Sequence, residues 1–490
     1  MSRSTQFRLL VALTIVWIAW AGWSLLGQAT PYELRVLNDI GDPVVSAVVD
    51  VGGTQMGTAG ENGRVQMDWD RSSTVLEVSA PGHVAHTLTL AERPEGVVDV
   101  VLNARVLRGR VVDSDGGPVG GAVVTAGPNS AISDQEGHFS IRGAEPGPVV
   151  LARPAWQSVE LTWDGGVGEV RAEMTPFTAR AVHVSGDAVA DRFEEFLDMA
   201  RSTELNSLMI DLKDEHGIVW YRTENETAIE VGANWDSYDL KAVVDRAHAE
   251  GLYVIGRLVL FNDPIAAVAL PALSIIDTTT GGPFNRNGQY FLDPTDSDAR
   301  SYGLDLAAEA CALGVDEIQF DYVRFPDATS DVWANMRFDS QPLTEEVRTT
   351  TVPNLLAEAV NILHPMGCAV AADVFGYLTT DKSDGFIGQN WEQIASVVDV
   401  VSPMVYPSHY GEGWFEKENP NDHPAEVVSG ALADGLERLP RSVVVRPWLQ
   451  DFGYDDSQVR AQIESAEKYG LGWMLWNAKS DVSVTALAPS

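Results

Sequence analysis

The sequence predicts an α/β protein: a C-terminal (β/α)8 TIM barrel preceded by two small all-β sandwich modules and an N-terminal hydrophobic helix. Three observations carry this. From Ala179 onward, short apolar runs alternate with amphipathic helical patterns, the signature of a parallel sheet wound with helices. Before that point the chain reads as short strands broken by Gly, Pro, Asn and Asp, with an internal repeat. The chain opens on Leu9–Leu26, an uncharged apolar run. These readings divide it at 1–30, 31–104, 105–175 and 176–490.

The opening run, LLVALTIVWIAWAGWSLL, follows Arg3 and Arg8. Its length lies where a long signal peptide and a short membrane span overlap. The positive flank keeps the N-terminus inside. The expectation is a cell-membrane protein, single-pass through residues 9–26, with the remainder outside the cytoplasm; the alternative is secretion after cleavage near Gly27-Gln28-Ala29.

In the repeat, LRVLNDIGDPVVSAVVDVGG from Leu34 matches LRGRVVDSDGGPVGGAVVTAG from Leu107. Alternating apolar residues separated by turn formers predict two antiparallel sandwiches in tandem. Gly117, Pro118, Val119, Gly121, Ala122, Val123, Asp134, Gly137 and Phe139 resemble the carboxypeptidase regulatory-like, transthyretin-type modules; the first unit departs at Ser46, where that motif has Gly. The resemblance implies a spacer or a weak binding module. Trp156 and Trp163, if exposed, are candidate sugar contacts.

Composition bounds the partners. A net charge of −37, with 33 basic against 70 acidic residues, excludes nucleic acid, whose phosphates need a basic surface. Cys311 and Cys368 make no disulfide framework and lack zinc-site spacing, so two separate buried thiols are expected. The sequence calls for no cofactor and no metal.

The barrel strands are expected at Ala179–Val184, Ser207–Leu212, Leu252–Phe261, Glu317–Val323, Ala369–Phe375, Val398–Tyr406, Val443–Leu449 and Trp473–Trp476. Gly251, Gly314, Gly367 and Gly470 each stand between a helix and the next strand, where a left-handed cap is wanted. In such a barrel the C-terminal strand ends form the face that carries chemistry. That face would collect Asp211 and Lys213; Arg257 and Asn262; Asp321, Tyr322 and Arg324; Asp373; Tyr406 and His409; Trp448 and Gln450; and Trp476 and Asn477. Aromatic rings suit the apolar face of a pyranose, and paired carboxylates suit its hydrolysis. Asp211 and Lys213 could equally bridge each other, and Arg257 points either to the pocket or into an internal ion pair.

SLMIDLKDEHG, YFLDPTDSDAR, DEIQFDYVRFP, VSPMVYPSHY and GWMLWNAKS together resemble the bacterial "putative glycosyl hydrolase domain" family, over about residues 179–480. The resemblance implies a two-carboxylate glycoside hydrolase acting on a carbohydrate polymer, with Asp321 as nucleophile or base and Asp373 as general acid/base. The alternatives are a surface protein that binds glycan without cleaving it, or a metal-dependent hydrolase or deacetylase holding a cation on Asp211, Asp321, Asp373 and His409.

Overall fold

The computed structural model describes residues 30–69, 73–440 and 443–489. Leu9–Leu26 lies outside them. The single-pass membrane expectation is corrected: among the described residues no helix is long and apolar enough to cross a membrane.

Two compact units divide the chain, one reaching Ala152 and including Ser158–Met174, the other formed by Arg153–Gln157 and Thr175–Ser490. The first unit contains the same seven-strand arrangement twice. In the first copy Arg64–Trp69, Thr30–Asn38 and Val97–Leu102 form one sheet, and Thr54–Thr58, Val48–Val51, Thr74–Ser79 and His86–Leu90 another. The second copy repeats that strand order from Val106–Val112 onward. In the first copy, alternating residues of both sheets, among them Leu34, Val36, Val49, Val65, Leu76 and Val78, share one core. Trp156 and Trp163 are buried, which removes them as exposed sugar contacts.

The second unit closes eight parallel strands: β1 Arg180–Val184, β2 Ser207–Lys213, β3 Tyr253–Val259, β4 Glu317–Asp321, β5 Ala369–Phe375, β6 Val400–Val405, β7 and β8 Trp473–Trp476. β7 is split into Val444–Val445 and Trp448–Gln450 around Pro447, which has no N–H to give a ladder. Each strand pairs in parallel with the next, and β8 returns to β1 with Met474 opposite Ala181. Helices at Gly186–Ser202, Leu240–Ala249, Ser297–Ala312, Glu345–Leu363, Trp391–Ala395, Pro424–Glu437 and Asp456–Glu467 follow β1 to β7 in turn. After β8 there is only the short turn Val484–Ala486.

The helix punctuation follows from the residues. Asp296 accepts hydrogen bonds from the backbone N–H groups of Asp298 and Ala299 and so caps the third of these helices. Gly251, Gly314, Gly367 and Gly470 take φ of 76°, 103°, 80° and 73°, values a side chain would resist. Cys311 and Cys368 are not separate thiols. They form a disulfide with Cα atoms 5.9 Å apart, because the helix after β3 ends beside the start of β5.

The barrel interior is chemically lopsided. Ala181, Met209, Ile255 and Met474, from β1, β2, β3 and β8, make an apolar side. Glu317 and Gln319 of β4, Asp373 of β5 and Arg446 of β7 are buried as well. Arg446 donates to Glu317 and, at 3.0 Å, to Gln319, so a polar ladder climbs the barrel toward the C-terminal face. Most buried polar groups in folded proteins have a hydrogen-bond partner, and these supply one another's.

Candidate active site

Side chains alternate along a strand, so Glu317, Gln319 and Asp321 share the inner face of β4 while Ile318 and Phe320 pack outward on the helices. Asp321 ends the strand. The next residue, Tyr322, adopts φ 48°, a left-handed turn uncommon for a bulky side chain, and its backbone N–H donates to Asp321 Oδ1 at 2.6 Å.

Arg257, on the neighbouring β3, is the hub. Its Nε and Nη2 donate to Asp321 Oδ2 at 2.9 and 2.6 Å, its Nη1 to Asp211 Oδ1 at 2.9 Å, and its Nη2 also to Glu215 Oε2 at 3.2 Å. Burial alone would ease the proton off this guanidinium, but the three carboxylates outweigh it and raise its pKa further. The same competition holds Asp211 down at about 2: burial opposes ionisation, and His183 and Arg257 override it. His183 Nε2 lies 3.1 Å from Asp211 Oδ2, and its Nδ1 bonds the carbonyl of Asn477 at 2.9 Å. The Trp476 ring covers Arg257, with the guanidinium carbon 4.7 Å from its centroid.

Asp373 sits in a different environment. Its Oδ1 accepts from Gln319 and, at 2.6 Å, from Trp448 Nε1, while Oδ2 is buried without a partner. Burial, and then the charge of Asp321, push its pKa well above the ordinary carboxyl value. Both effects favour the protonated form.

Above these groups opens a cavity of about 490 Å³. Its wall carries the carboxyls of Glu215, Asp321 and Asp327, the guanidinium groups of Arg257 and Arg324, and the rings of Tyr322, Phe375, Tyr377, Tyr406, His409, Tyr410, Trp448 and Trp476. Apolar rings interrupted by a few convergent polar groups are what a small-ligand or sugar site requires. Burial lowers the His409 pKa, and its ring packs edge-on against Tyr406.

Residues 181–481 match the family described as "Putative glycosyl hydrolase domain". The chain belongs to this family. Its barrel is a glycoside-hydrolase-like, enzymatic domain. Among solved structures, a hypothetical protein from Ruminiclostridium thermocellum is 32% identical, over 39% of this chain and 97% of that one, with a TM-score of 0.35. The PgaB (BpsB) glycoside hydrolase domain from Bordetella bronchiseptica is 14% identical over 62% and 95%, with a TM-score of 0.43. The glycoside hydrolase domain of PelA from Pseudomonas aeruginosa is 11% identical over 62% and 96%, with a TM-score of 0.36. No curated protein sequence matches the chain.

Within this glycosyl hydrolase domain, the cavity brings together Arg257, Asp321, Tyr322, Arg324, Tyr406, His409, Trp448 and Trp476 of the residues expected from sequence. The others do not line it. Asp373 is buried. Asp211 backs Arg257. Lys213 does not bridge Asp211: the register shift between them re-aims it, and its Nζ lies 2.9 Å from Asp263 Oδ2 and donates to the Val259 carbonyl. Asn262 donates to the Glu215 carbonyl at 3.2 Å and steadies that loop. Gln450 accepts from Ser408, and Asn477 ties Asp451 to Asp481. Among the described residues no group of three or more His, Cys, Asp or Glu could hold a metal ion. The alternative cation set of Asp211, Asp321, Asp373 and His409 is not supported, because the Arg257 cation already lies between Asp211 and Asp321.

Glu215, Asp327 and His183 were not anticipated. Glu215 could have been: it closes the charged run Asp211-Leu212-Lys213-Asp214-Glu215 at the end of β2. His183, one histidine on the buried strand β1, was the other visible signal.

Proposed function

We propose that the barrel hydrolyses a glycosidic bond in a carbohydrate polymer by a retaining, two-carboxylate mechanism, with Asp321 as nucleophile and Glu215 as acid/base. The observation that carries it is the shared Arg257 Nη2, which bonds Asp321 Oδ2 at 2.6 Å and Glu215 Oε2 at 3.2 Å. The two oxygens are therefore no farther apart than those distances laid end to end, about 5.8 Å. Retaining pairs stand about 5–5.5 Å apart, inverting pairs roughly 6.5–9.5 Å. Asp321 would attack the anomeric carbon while Glu215, having first taken a proton from solvent, gives it to the departing oxygen. Glu215 would then take a proton from the water that releases the sugar from Asp321.

Asp373, the acid expected from sequence, takes a different part in this reading. It is a buried carboxyl whose raised pKa disfavours a second negative charge beside Asp321. Its enclosure also favours a second reading, glycan binding without cleavage, because one of the two anticipated carboxyls does not line the cavity.

The test is the full chain with a panel of α- and β-linked oligosaccharides, beside Asp321→Asn and Glu215→Gln. Each variant should lose about a thousandfold in turnover while still binding. The first product, followed by NMR, should keep the anomeric configuration of the substrate. Inversion would remove Glu215 from its role, and binding with no product from any protein would establish the second reading.

For the rest of the chain we infer regulatory-like β modules at 31–104 and 105–175 ahead of the barrel at 176–490. The repeated strand order and the motif from Gly117 to Phe139 support this. The Cys311–Cys368 bridge supports an oxidising compartment.

A further inference from the structure

Five lysine or arginine side chains are buried among the described residues: Lys213, Arg257, Arg324, Arg348 and Arg446. Four have a carboxylate. Lys213 pairs with Asp263, Arg257 with Asp211 and Asp321, Arg348 with Asp384 and Arg446 with Glu317. Arg324 is the exception. It is 6% exposed and lines the cavity, yet no carboxylate among the described residues lies within ion-pairing distance of it.

Its protein contacts hold the guanidinium without neutralising it. Nη1 donates to the Phe325 carbonyl at 3.1 Å. The guanidinium carbon stands 4.7 Å from the Tyr322 ring centre and 4.8 Å from that of Phe375. Stacked rings offset part of the desolvation of a cation, but they carry no full negative charge to pair with it. Arginine stays charged, so burial without a paired carboxylate is costly: that burial lowers its pKa, and the charges of Asp321 and Asp327, beyond pairing distance, offset only part of it. Four buried cations with partners and one without, the latter facing the ligand cavity, indicate that the ligand supplies the partner.

We propose that Arg324 is a specificity residue that recognises a carboxylate on the substrate, which makes the substrate class a uronic-acid-containing polysaccharide. The planar edge of a guanidinium matches a carboxylate with two parallel hydrogen bonds. The other cavity acids select among anions. Asp321 and Asp327 share the wall, so a phosphate dianion is repelled more strongly than a singly charged carboxylate. The net charge of −37 also opposes a polyanion at long range. At physiological ionic strength that repulsion is screened beyond about 8 Å, whereas a buried contact is screened far less.

This proposal rests on the carbohydrate reading above, and one binding experiment separates the two. The full chain, its Asp321→Asn form to suppress turnover, is titrated with oligosaccharides of galacturonate, mannuronate and glucuronate, each beside its carboxyl-reduced neutral counterpart. At least one acidic oligosaccharide should bind tenfold or more tightly than its reduced form. In the Arg324→Met background that ratio should fall to about one, and Arg324→Lys, which keeps charge but not the planar edge, should fall between. Equal affinity for acidic and reduced forms overturns the role of Arg324 while leaving the carbohydrate reading standing, and so does a ratio unchanged in Arg324→Met. Binding of no oligosaccharide, acidic or neutral, overturns both.

Discussion

Replacing Asp373 with asparagine should stabilise the barrel increasingly as pH rises. In the folded chain its Oδ1 accepts two hydrogen bonds and its Oδ2 is buried unpartnered, so burial raises the pKa well above 3.8. Unfolded, the carboxyl ionises near pH 4. Between those two values the folded state holds a proton that the unfolded state has released. Stability is therefore full below the unfolded pKa and falls by about 1.4 kcal/mol per pH unit above it, until the folded pKa is reached. Asparagine can present its oxygen to the Gln319 and Trp448 donors and has no proton to lose. At pH 4 the variant should match the wild type to within about 1 kcal/mol. Above that, the ratio of their hydrogen-exchange protection factors over β5 should rise about tenfold per pH unit. Intrinsic exchange cancels in that ratio. A variant less protected by a constant factor at every pH would mean that Asp373 is charged in the folded barrel, and the reasoning would fail.

Asp211 should behave in the opposite sense. Its pKa is held at about 2, so its contribution, about 2 kcal/mol, is present above pH 4 and disappears as pH falls toward 2. Acid unfolding of Asp211→Asn should lack that branch. The Cys311–Cys368 bridge closes a loop of 57 residues, and Cys311→Ala should lower the unfolding free energy by about 4 kcal/mol, read from denaturant midpoints with and without reductant. An equal loss caused by reductant in the variant would show that the bridge is not the source.

Much of the architecture was legible because local chemistry repeats. Strand β5 and strand β8 were expected at the residues where they occur, since apolar runs bounded by turn formers leave little freedom. The four left-handed glycines between helix and strand followed from the same regularity. Asp321, Tyr322 and Arg324 stood out because an apolar strand has no packing reason to end on them. Less was legible where partners come from distant segments. Lys213 was read against its sequence neighbour Asp211, but a register shift gave it Asp263 instead. The two cysteines looked independent because their spacing carries no motif, and only the packing of a helix end on a strand start joined them.

The order of apolar and polar residues along this chain determines a closed parallel barrel with chemistry at its C-terminal mouth, because periodicity and turn residues act over a few positions. Which acids face the cavity is a different matter. Asp373 and Glu215 differ in that respect through the bonds from Gln319 and Trp448 and the Asn262 contact that steadies the loop after β2. Those are contacts between residues far apart in sequence, and they exist only once the barrel has closed.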